Sequence, residues 1–299
     1  MAAIEAAAFQ QETLQPAQFA AATDLVAEAG WNQVADDWAL MRRSGAAIGL
    51  VTPSGDLLAT ALALPYRDGL RPGAGAFGWI SMVLVTAAMR RRGLATRLLK
   101  DRIAWLQARA MVPILDATEA GEKVYGPLGF GPGIRISRWQ GRGGPPPGGA
   151  ASAGGGSGAG LRAAAAEDRA AMADLDRAVF GADRQALIDA FLDRPGSQGI
   201  VAGDPAQGFA IVRHGRQAAQ VGPLLAADEA GAAALLDAAL ATTDGPVFLD
   251  VLDSRPQLVA HLQARGFTRQ RGFLRMALGR MPDFDGQGRS MVIAGPEYG

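Results

Sequence analysis

The sequence contains no cysteine among its 299 residues and only two histidines, His214 and His261, both in the second half. Disulfide bonds, thiolate metal ligands and a cysteine nucleophile are therefore excluded, and we expect no metal. Positive and negative side chains cancel to a net charge of zero, with an isoelectric point near 6.8. This balance argues against a general nucleic-acid-binding protein.

Long hydrophobic runs are also missing. The longest apolar stretch lies near residues 79–85, far short of the ~20 residues that a membrane-spanning helix needs. The amino terminus reads MAAIEAAAFQ, and its lack of basic residues is unlike a secretory signal. We therefore expect a cytoplasmic protein without a membrane partner.

The most informative stretch is WISMVLVTAAMRRRGLATRLLKDRIAW, residues 79–105. Its apolar start predicts a buried strand, and the apolar positions 94, 95, 98, 99, 103 and 106 predict one face of a helix. A basic turn containing Gly93 lies between them. The first amides of a helix lack partners and lie at the positive end of its dipole, and glycine leaves them accessible. The sequence thus predicts a cradle for a pyrophosphate.

These residues resemble a known family. Arg90-x-x-Gly93-x-Ala95 after an apolar strand is similar to the acyl-CoA-binding motif of the GCN5-related N-acetyltransferases (GNAT), which is Arg/Gln-x-x-Gly-x-Gly/Ala. A second apolar strand at 112–118 is followed by VYGPLGF at 124–130, which resembles the family's Tyr-x-x-x-Gly-Phe segment. The resemblance covers about residues 9–140 and includes the predicted order of helices and strands.

The second half repeats this order of elements. Residues 248–251 correspond to 114–117, and Gly266-Phe267 corresponds to Gly129-Phe130. We therefore predict an α/β (α+β) fold of two tandem GNAT-like domains. Each would have a mixed, mostly antiparallel sheet flanked by helices, with a splayed pair of parallel strands. The predicted divisions are the domains 1–140 and 161–280, a Gly/Pro/Ala-rich linker at 141–160, and a tail at 281–299 with an added strand.

The second half has diverged at the cradle. Asp228 and Glu229 stand where the first half has its arginines, and Leu262 stands where the tyrosine would be. Carboxylates repel an anionic pyrophosphate. We therefore expect that the second domain has lost cofactor binding, and that it supports the fold or closes over the acceptor site.

The resemblance implies transfer of an acetyl group from acetyl-CoA to an amine. It implies that strand backbone groups bind the pantetheine arm and that the basic turn binds the pyrophosphate. It also places a threonine where many members carry a cofactor-binding asparagine. The implied cofactor-binding residues are Val83, Leu84, Val85, Arg90, Arg91, Arg92, Gly93, Leu94, Ala95, Thr96 and Thr118.

Tyr125 is the candidate general acid, because a phenol stays protonated at neutral pH and can supply the leaving thiolate with a proton. The alternative is that Tyr125 only packs on a helix face. The motif strand contains no carboxylate to serve as base. Asp116 and Glu119 lie near the end of the second strand, where they could relay a proton through water or be purely structural; no base is needed if the amine arrives neutral.

For the acceptor, a cluster of aromatic and acidic residues suits an amine through cation–π contacts and ion pairing. The cluster comprises Trp31, Asn32, Asp36 and Trp38. The alternative is that both tryptophans belong to the core.

The sequence leaves two functions open. One is a monomeric N-acetyltransferase acting on a small-molecule or protein amine, and the other is a non-catalytic acyl-CoA-binding or sensing module. Tyr125 and the aromatic-acidic cluster favour the enzyme.

Overall fold

The computed structural model describes residues 9–67, 76–145, 160–286 and 288–299. The greater part of the predicted linker lies outside the described residues. The beginning of that linker is folded: the strand before it runs to Arg142, and Gly143 N donates to Gly245 O at 2.9 Å.

Both halves run through the same order of ten elements, strand, two helices, three strands, helix, strand, helix, strand. The first half comprises β1 Gln10–Thr13, α1 Phe19–Glu28, α2 Ala35–Ser44, β2 Ala46–Val51, β3 Leu57–Tyr66, β4 Phe77–Val85, α3 Leu94–Gln107, β5 Val112–Ala117, α4 Glu119–Tyr125 and β6 Gly131–Arg142. The second half comprises β7 Leu161–Ala163, α5 Arg169–Phe180, α6 Gln185–Leu192, β8 Gln198–Ala202, β9 Gly208–Arg213, β10 Ala219–Leu225, α7 Glu229–Ala241, β11 Pro246–Leu252, α8 Pro256–Ala264 and β12 Thr268–Ala277, and the tail adds β13 Ser290–Val292. The predicted fold class is confirmed.

The strands of both halves form one continuous sheet in the order β1-β2-β3-β4-β5-β12-β6-β11-β13-β10-β9-β8-β7. The last strands of the halves are exchanged. Strand β12 pairs with β5 of the first half, with Leu274 opposite Ala117. Strand β6 pairs with β11 of the second half, with Leu252 opposite Ile136. Because β6 and β12 also pair with each other, neither half closes its sheet alone.

Each half contains a pair of parallel strands that stay together for only three residues. Strand β4 pairs with β5 from Phe77 to Trp79, and β10 pairs with β11 from Ala219 to Val221. In the second half the tail strand β13 enters the gap, where Val292 lies opposite both Leu224 and Val251. In the described first half no strand enters the corresponding gap. Of the two gaps, that of the first half is the one whose strand edges stay unpaired among the described residues.

Helices cover both faces of the sheet. The buried face of α3 includes Leu98 and Leu106, and it lies so close to β4 that a Cβ on Gly78 would be 2.0 Å from a methyl of Leu106. On the other face, one core cluster takes residues from both halves, including Trp38, Phe191 and the tail residue Tyr298. Packing as well as strand pairing therefore joins the halves.

A buried ion pair lies at the junction. Arg138 on β6 donates to both oxygens of Asp250 on β11, at 2.8 and 2.7 Å, and Gln220 Nε2 donates to Asp250 at 3.0 Å. Asp250 is fully buried. Bidentate contacts of this kind are strong and directional, so this pair fixes the register between the halves.

Replacing Asp250 with asparagine should destabilise the whole molecule. Arg138 would be left buried without a counter-charge, which costs about 3–5 kcal/mol of unfolding free energy. All five tryptophans lie in the first half of the sequence, and one of them, Trp139 on β6, packs in a core cluster of second-half residues. Denaturant unfolding followed by tryptophan fluorescence therefore reports mainly on the first half, and circular dichroism reports on both. Both signals should shift together because the sheet is shared.

The matched control is Asp253→Asn, an exposed carboxylate just beyond the same strand, which should change stability little. A loss confined to the circular dichroism signal, with tryptophan fluorescence unchanged, would contradict this account of the shared sheet.

Candidate active site

The opening between β4 and β5 is shaped by a bulge in β4. Met82 has a φ of +53°, and the register with β3 shifts between the pairs Leu62–Ser81 and Thr60–Leu84. Thr60 Oγ1 holds the bulge by donating to Met82 O at 2.8 Å. Beyond Trp79 the β5 side of this strand has no strand partner among the described residues. Its backbone groups can therefore bind an extended ligand.

The amino terminus of α3 is open. Its N-cap is Gly93, with a φ of +78°, and no side chain caps the first amides. A Cβ at Gly93 would meet no atom within 4 Å, so the space in front of the helix is accessible. The preceding arginines, 90 to 92, are exposed. The predicted anion cradle is thus geometrically available.

The corresponding helix of the second half, α7, has no such opening. Its N-cap Asp228 accepts a hydrogen bond from Gly231 N at 2.8 Å, and Glu229 accepts one from Leu258 N at 2.8 Å. A carboxylate of the chain therefore already occupies the place where a phosphate would bind.

A cleft of about 320 Å³ lies where β4 and β5 separate. Ser81 and Val83 line it from β4, Tyr125 lines it from α4, and Glu297 lines it from the tail. Residues far apart in sequence therefore meet in one cavity.

Tyr125 lies at the end of α4, with its ring 6.1 Å from that of Phe130. Burial raises the pKa of its hydroxyl above the ordinary value, so the group remains protonated at neutral pH. The structure brings this predicted residue to the cleft, and it also packs against the core. Both interpretations from the sequence are therefore compatible with its position.

Glu297 is a residue that the sequence analysis missed. Its side chain is 7% exposed, Oε1 lies 3.4 Å from Arg213 Nη2, and Oε2 has no hydrogen-bond partner within the described chain. Burial raises the pKa of this carboxyl, although Arg213 acts in the opposite direction. The available signal was that Glu297 is the only carboxylate in the last ten residues, which were predicted to return to a sheet.

The tail is held against β4 by hydrogen bonds. Trp79 Nε1 donates to Pro296 O at 2.9 Å, and Ser81 Oγ donates to Glu297 O at 3.0 Å. The backbone at Gly295 has a φ of +135°, and a Cβ there would lie 2.8 Å from both carboxylate oxygens of Glu297. Glycine at 295 is therefore required for the observed position of the carboxylate.

Two of the eleven predicted cofactor-binding residues line the cleft, and some groups of the predicted set are already engaged. Val83 and Thr118 line it. Thr118 Oγ1 accepts from Gly121 N at 3.3 Å as the N-cap of α4, and Val85 O accepts from Arg90 Nε at 3.1 Å.

Of the predicted acceptor-binding residues, the structure brings only Trp31 to the cleft. Trp38 is fully buried in the core, as the alternative interpretation held. The side chain of Asn32 is engaged by the second half, since Oδ1 accepts from Ala218 N at 3.1 Å and Nδ2 donates to Ala218 O at 3.0 Å. Asp36 is exposed and lines a separate groove between α2 and α6. Trp31 and Asn32 lie in the segment between α1 and α2, whereas Asp36 and Trp38 lie within α2, where residues two apart point to different sides of the helix.

The two carboxylates considered as bases are differently placed. Asp116 lines the cleft but is bound by Arg275 through contacts of 2.8 and 3.0 Å. Glu119 is exposed in the first turn of α4.

In the described parts of the chain, no three potential ligands cluster for a metal, and no helix is long and apolar enough to cross a membrane.

Comparisons with known proteins agree with this geometry. Residues 11–130 match a model described as "Acetyltransferase (GNAT) family", and residues 172–287 match one described as "Acetyltransferase (GNAT) domain". The chain belongs to the GNAT family of acetyltransferases. The predicted tandem arrangement of two GNAT domains is confirmed.

Solved structures show the same fold at low sequence identity. A putative acetyltransferase from Pyrococcus horikoshii is 15% identical, with a TM-score of 0.78 over 100% of this chain and 99% of that one. A tandem GNAT protein from the clavulanic acid biosynthesis pathway is 14% identical, with a TM-score of 0.65 over 92% of this chain and 100% of that one. A GCN5-related N-acetyltransferase from Sphaerobacter thermophilus is 17% identical, with a TM-score of 0.60 over 92% and 97% of the two chains. No curated protein sequence matches at a significant level.

Proposed function

We propose that this GNAT protein transfers the acetyl group of acetyl-CoA to an amine in the cleft between β4 and β5. The observation that carries the proposal is that Tyr125 and Glu297 line the same cleft at the open end of the strand pair. Tyr125 can donate a proton, and Glu297 can accept one. Amine acetylation requires both transfers, because an ammonium must lose a proton and a thiolate must gain one.

The residues present fit acetyl-CoA. The unpaired edge of β4 offers amides and carbonyls to the pantetheine arm, and the uncapped start of α3 offers amides to the pyrophosphate. The exposed Arg90, Arg91 and Arg92 add positive charge nearby. The bound cosubstrate supplies an acetyl group activated as a thioester.

The chain's own residues then manage the protons. Glu297 accepts a proton from the incoming ammonium at its unpartnered Oε2, which leaves a neutral, nucleophilic amine. Its raised pKa makes it a stronger base than an exposed glutamate. Tyr125 holds a proton on its hydroxyl oxygen for the departing sulfur.

The second half, we infer, does not bind acetyl-CoA. Asp228 closes the start of α7, and β13 fills the gap between β10 and β11. This half instead contributes Arg213 and the tail that carries Glu297.

Calorimetric titration of the full chain with acetyl-CoA and CoA, followed by a thiol-release assay with a panel of amines, tests the proposal. Binding with amine-dependent release of CoA supports an acetyltransferase. Binding without release for every amine would favour the non-catalytic acyl-CoA-binding module. If neither acetyl-CoA nor CoA bound, both the acetyltransferase and the acyl-CoA-binding module would be excluded.

Gly93→Asp should weaken acetyl-CoA binding at least tenfold relative to Gly93→Asn. Both residues tolerate a positive φ and can cap α3, but only aspartate places a negative charge in the cradle, as Asp228 does at α7. Calorimetry of the two variants isolates the charge. Equal dissociation constants would show that the pyrophosphate does not bind at this helix.

Tyr125→Phe should lower kcat by about a hundredfold and leave the dissociation constant of acetyl-CoA nearly unchanged. The phenyl ring keeps the contact with Phe130 and removes only the hydroxyl. Steady-state kinetics measures kcat, and denaturant unfolding of the variant serves as the control for its stability. Unchanged turnover would reduce Tyr125 to a packing residue.

Glu297→Gln should lower kcat/KM and abolish its rise with pH on the acid side. In the wild type, the rate rises as Glu297 loses its proton, and the midpoint lies above the ordinary glutamate pKa because burial raises it. Arg213 and Arg138 oppose this shift in the pKa, and Asp37 reinforces it.

The matched control is Glu119→Gln, which removes an exposed carboxylate and should leave the pH profile unchanged. If Glu297→Gln kept the wild-type acid limb, another group would be the base.

A further inference from the structure

Two buried oxygen atoms at the cleft have no donor. Gln33 Oε1 and Glu297 Oε2 lack a hydrogen-bond partner within the described residues, and each residue as a whole is 6% exposed. Both residues line the cleft. A primary ammonium carries three N–H donors and a positive charge, which is the group that this pair of acceptors would satisfy.

A guanidinium in the same cleft has a hydrogen-bond donor without an acceptor. Arg271 on β12 is half-buried, and its Nε is buried without a hydrogen-bond acceptor in the described part of the chain. Its register partner is another arginine, Arg138. Burial lowers the pKa of Arg271, and the charge of Arg138 lowers it further.

The carboxylates around Arg271 are already bound by other arginines. Asp250 accepts both hydrogen bonds of Arg138. Asp116 is bound by Arg275, and Glu297 Oε1 lies beside Arg213. No ion pair of Arg271 itself occurs among the described residues. Arg271 therefore lacks a carboxylate partner among the described residues of the cleft.

The size of the cleft limits the acceptor. A volume of about 320 Å³ is at the lower end of the range for small-molecule sites. The acetyl end of the cosubstrate must share this space. Trp31 from the first half and Arg271 from the second bound it, which leaves room for a small acceptor.

We propose that the acetyl acceptor is a free amino acid, whose ammonium binds Glu297 and Gln33 and whose carboxylate binds Arg271. The arginine fork matches a carboxylate through two parallel hydrogen bonds. This inference rests on the proposed acetyltransferase function, because it names the substrate class of that site.

The first test is kinetic. Initial rates on the full chain with acetyl-CoA are measured for the common α-amino acids, β-alanine and γ-aminobutyrate. Each is compared with its carboxamide and with the amine that lacks the carboxyl group. At least one amino acid should exceed both counterparts at least tenfold in kcat/KM. Equal or better rates for the counterparts throughout would overturn the proposal.

Arg271→Gln should lower kcat/KM for the preferred amino acid by roughly ten- to hundredfold and bring its ratio to the carboxamide close to one. The ratio is independent of the fraction of folded protein. Arg135→Gln, an exposed arginine on the neighbouring strand β6, is the matched control and should keep the wild-type ratio. A retained ratio in Arg271→Gln would exclude Arg271 as the carboxylate site.

A binding measurement separates the two proposals. If no amine is acetylated, the proposed function fails. Calorimetry of the same amino acids and carboxamides with the CoA-saturated chain still reports on the subsite. Tighter binding of the acid that is lost in Arg271→Gln supports the inference, and no binding overturns it. A preference for succinyl-CoA over acetyl-CoA that disappears in Arg271→Gln would assign Arg271 to the acyl group and also overturn it.

Discussion

The antiparallel pairing of β6 with β12 is the constraint on which the rest of the structure depends. Each of these strands ends its own half and completes the sheet of the other. The pairing between the halves runs from Gly131 to Gln140 on β6, with two register shifts, and the buried Arg138–Asp250 pair joins β6 to β11. The halves are similar in fold, but they are not separable units.

This arrangement explains how one cleft can be built from both halves. Strand β12 brings Arg271 and Phe273 beside β5, so residues of the second half line the cleft of the first. The tail then leaves the second half by way of β13 and reaches β4, where Glu297 is held by contacts to Ser81 and Arg213. The same segment closes one strand gap and completes the other. Two similar halves thereby become chemically different, one with an open cleft and one with a filled gap.

Local patterns in the sequence were sufficient to predict most elements. The predicted strand near residues 79–85 and the predicted helix face at 94–106 correspond to β4 and α3, because their apolar residues keep a single period. Strand β6 was missed, since residues 131–142 begin with Gly-Pro-Gly and mix basic with apolar side chains. Arg138 of this strand is buried against Asp250, which no local pattern reveals. The exchange of strands was missed for the same reason, because pairing between distant strands has no local signature.

The residues of the candidate site also differ in whether a local sequence pattern could predict them. The cradle at Gly93 and the position of Tyr125 could be predicted because each depends on a short motif and the element that follows it. The placement of Trp38 could not, because one turn of helix decides whether an indole faces the core or a cavity. Glu297 was hidden by distance, since it lies more than 170 residues beyond Tyr125 and reaches the cleft only after the tail has passed through the second half.

The carboxylates near the motif strand differ from Glu297 in how they are bound. Asp116, the nearby carboxylate that does line the cleft, is neutralised by Arg275, an arginine of the exchanged strand. Glu297 also lies beside an arginine, but one of its oxygens has no hydrogen-bond partner within the described chain. A carboxylate bound at both oxygens contributes to the fold, whereas one with an unpartnered oxygen at a cavity can accept a proton from a ligand. The second half thus decides which carboxylate remains available for chemistry, although its own strand gap is closed.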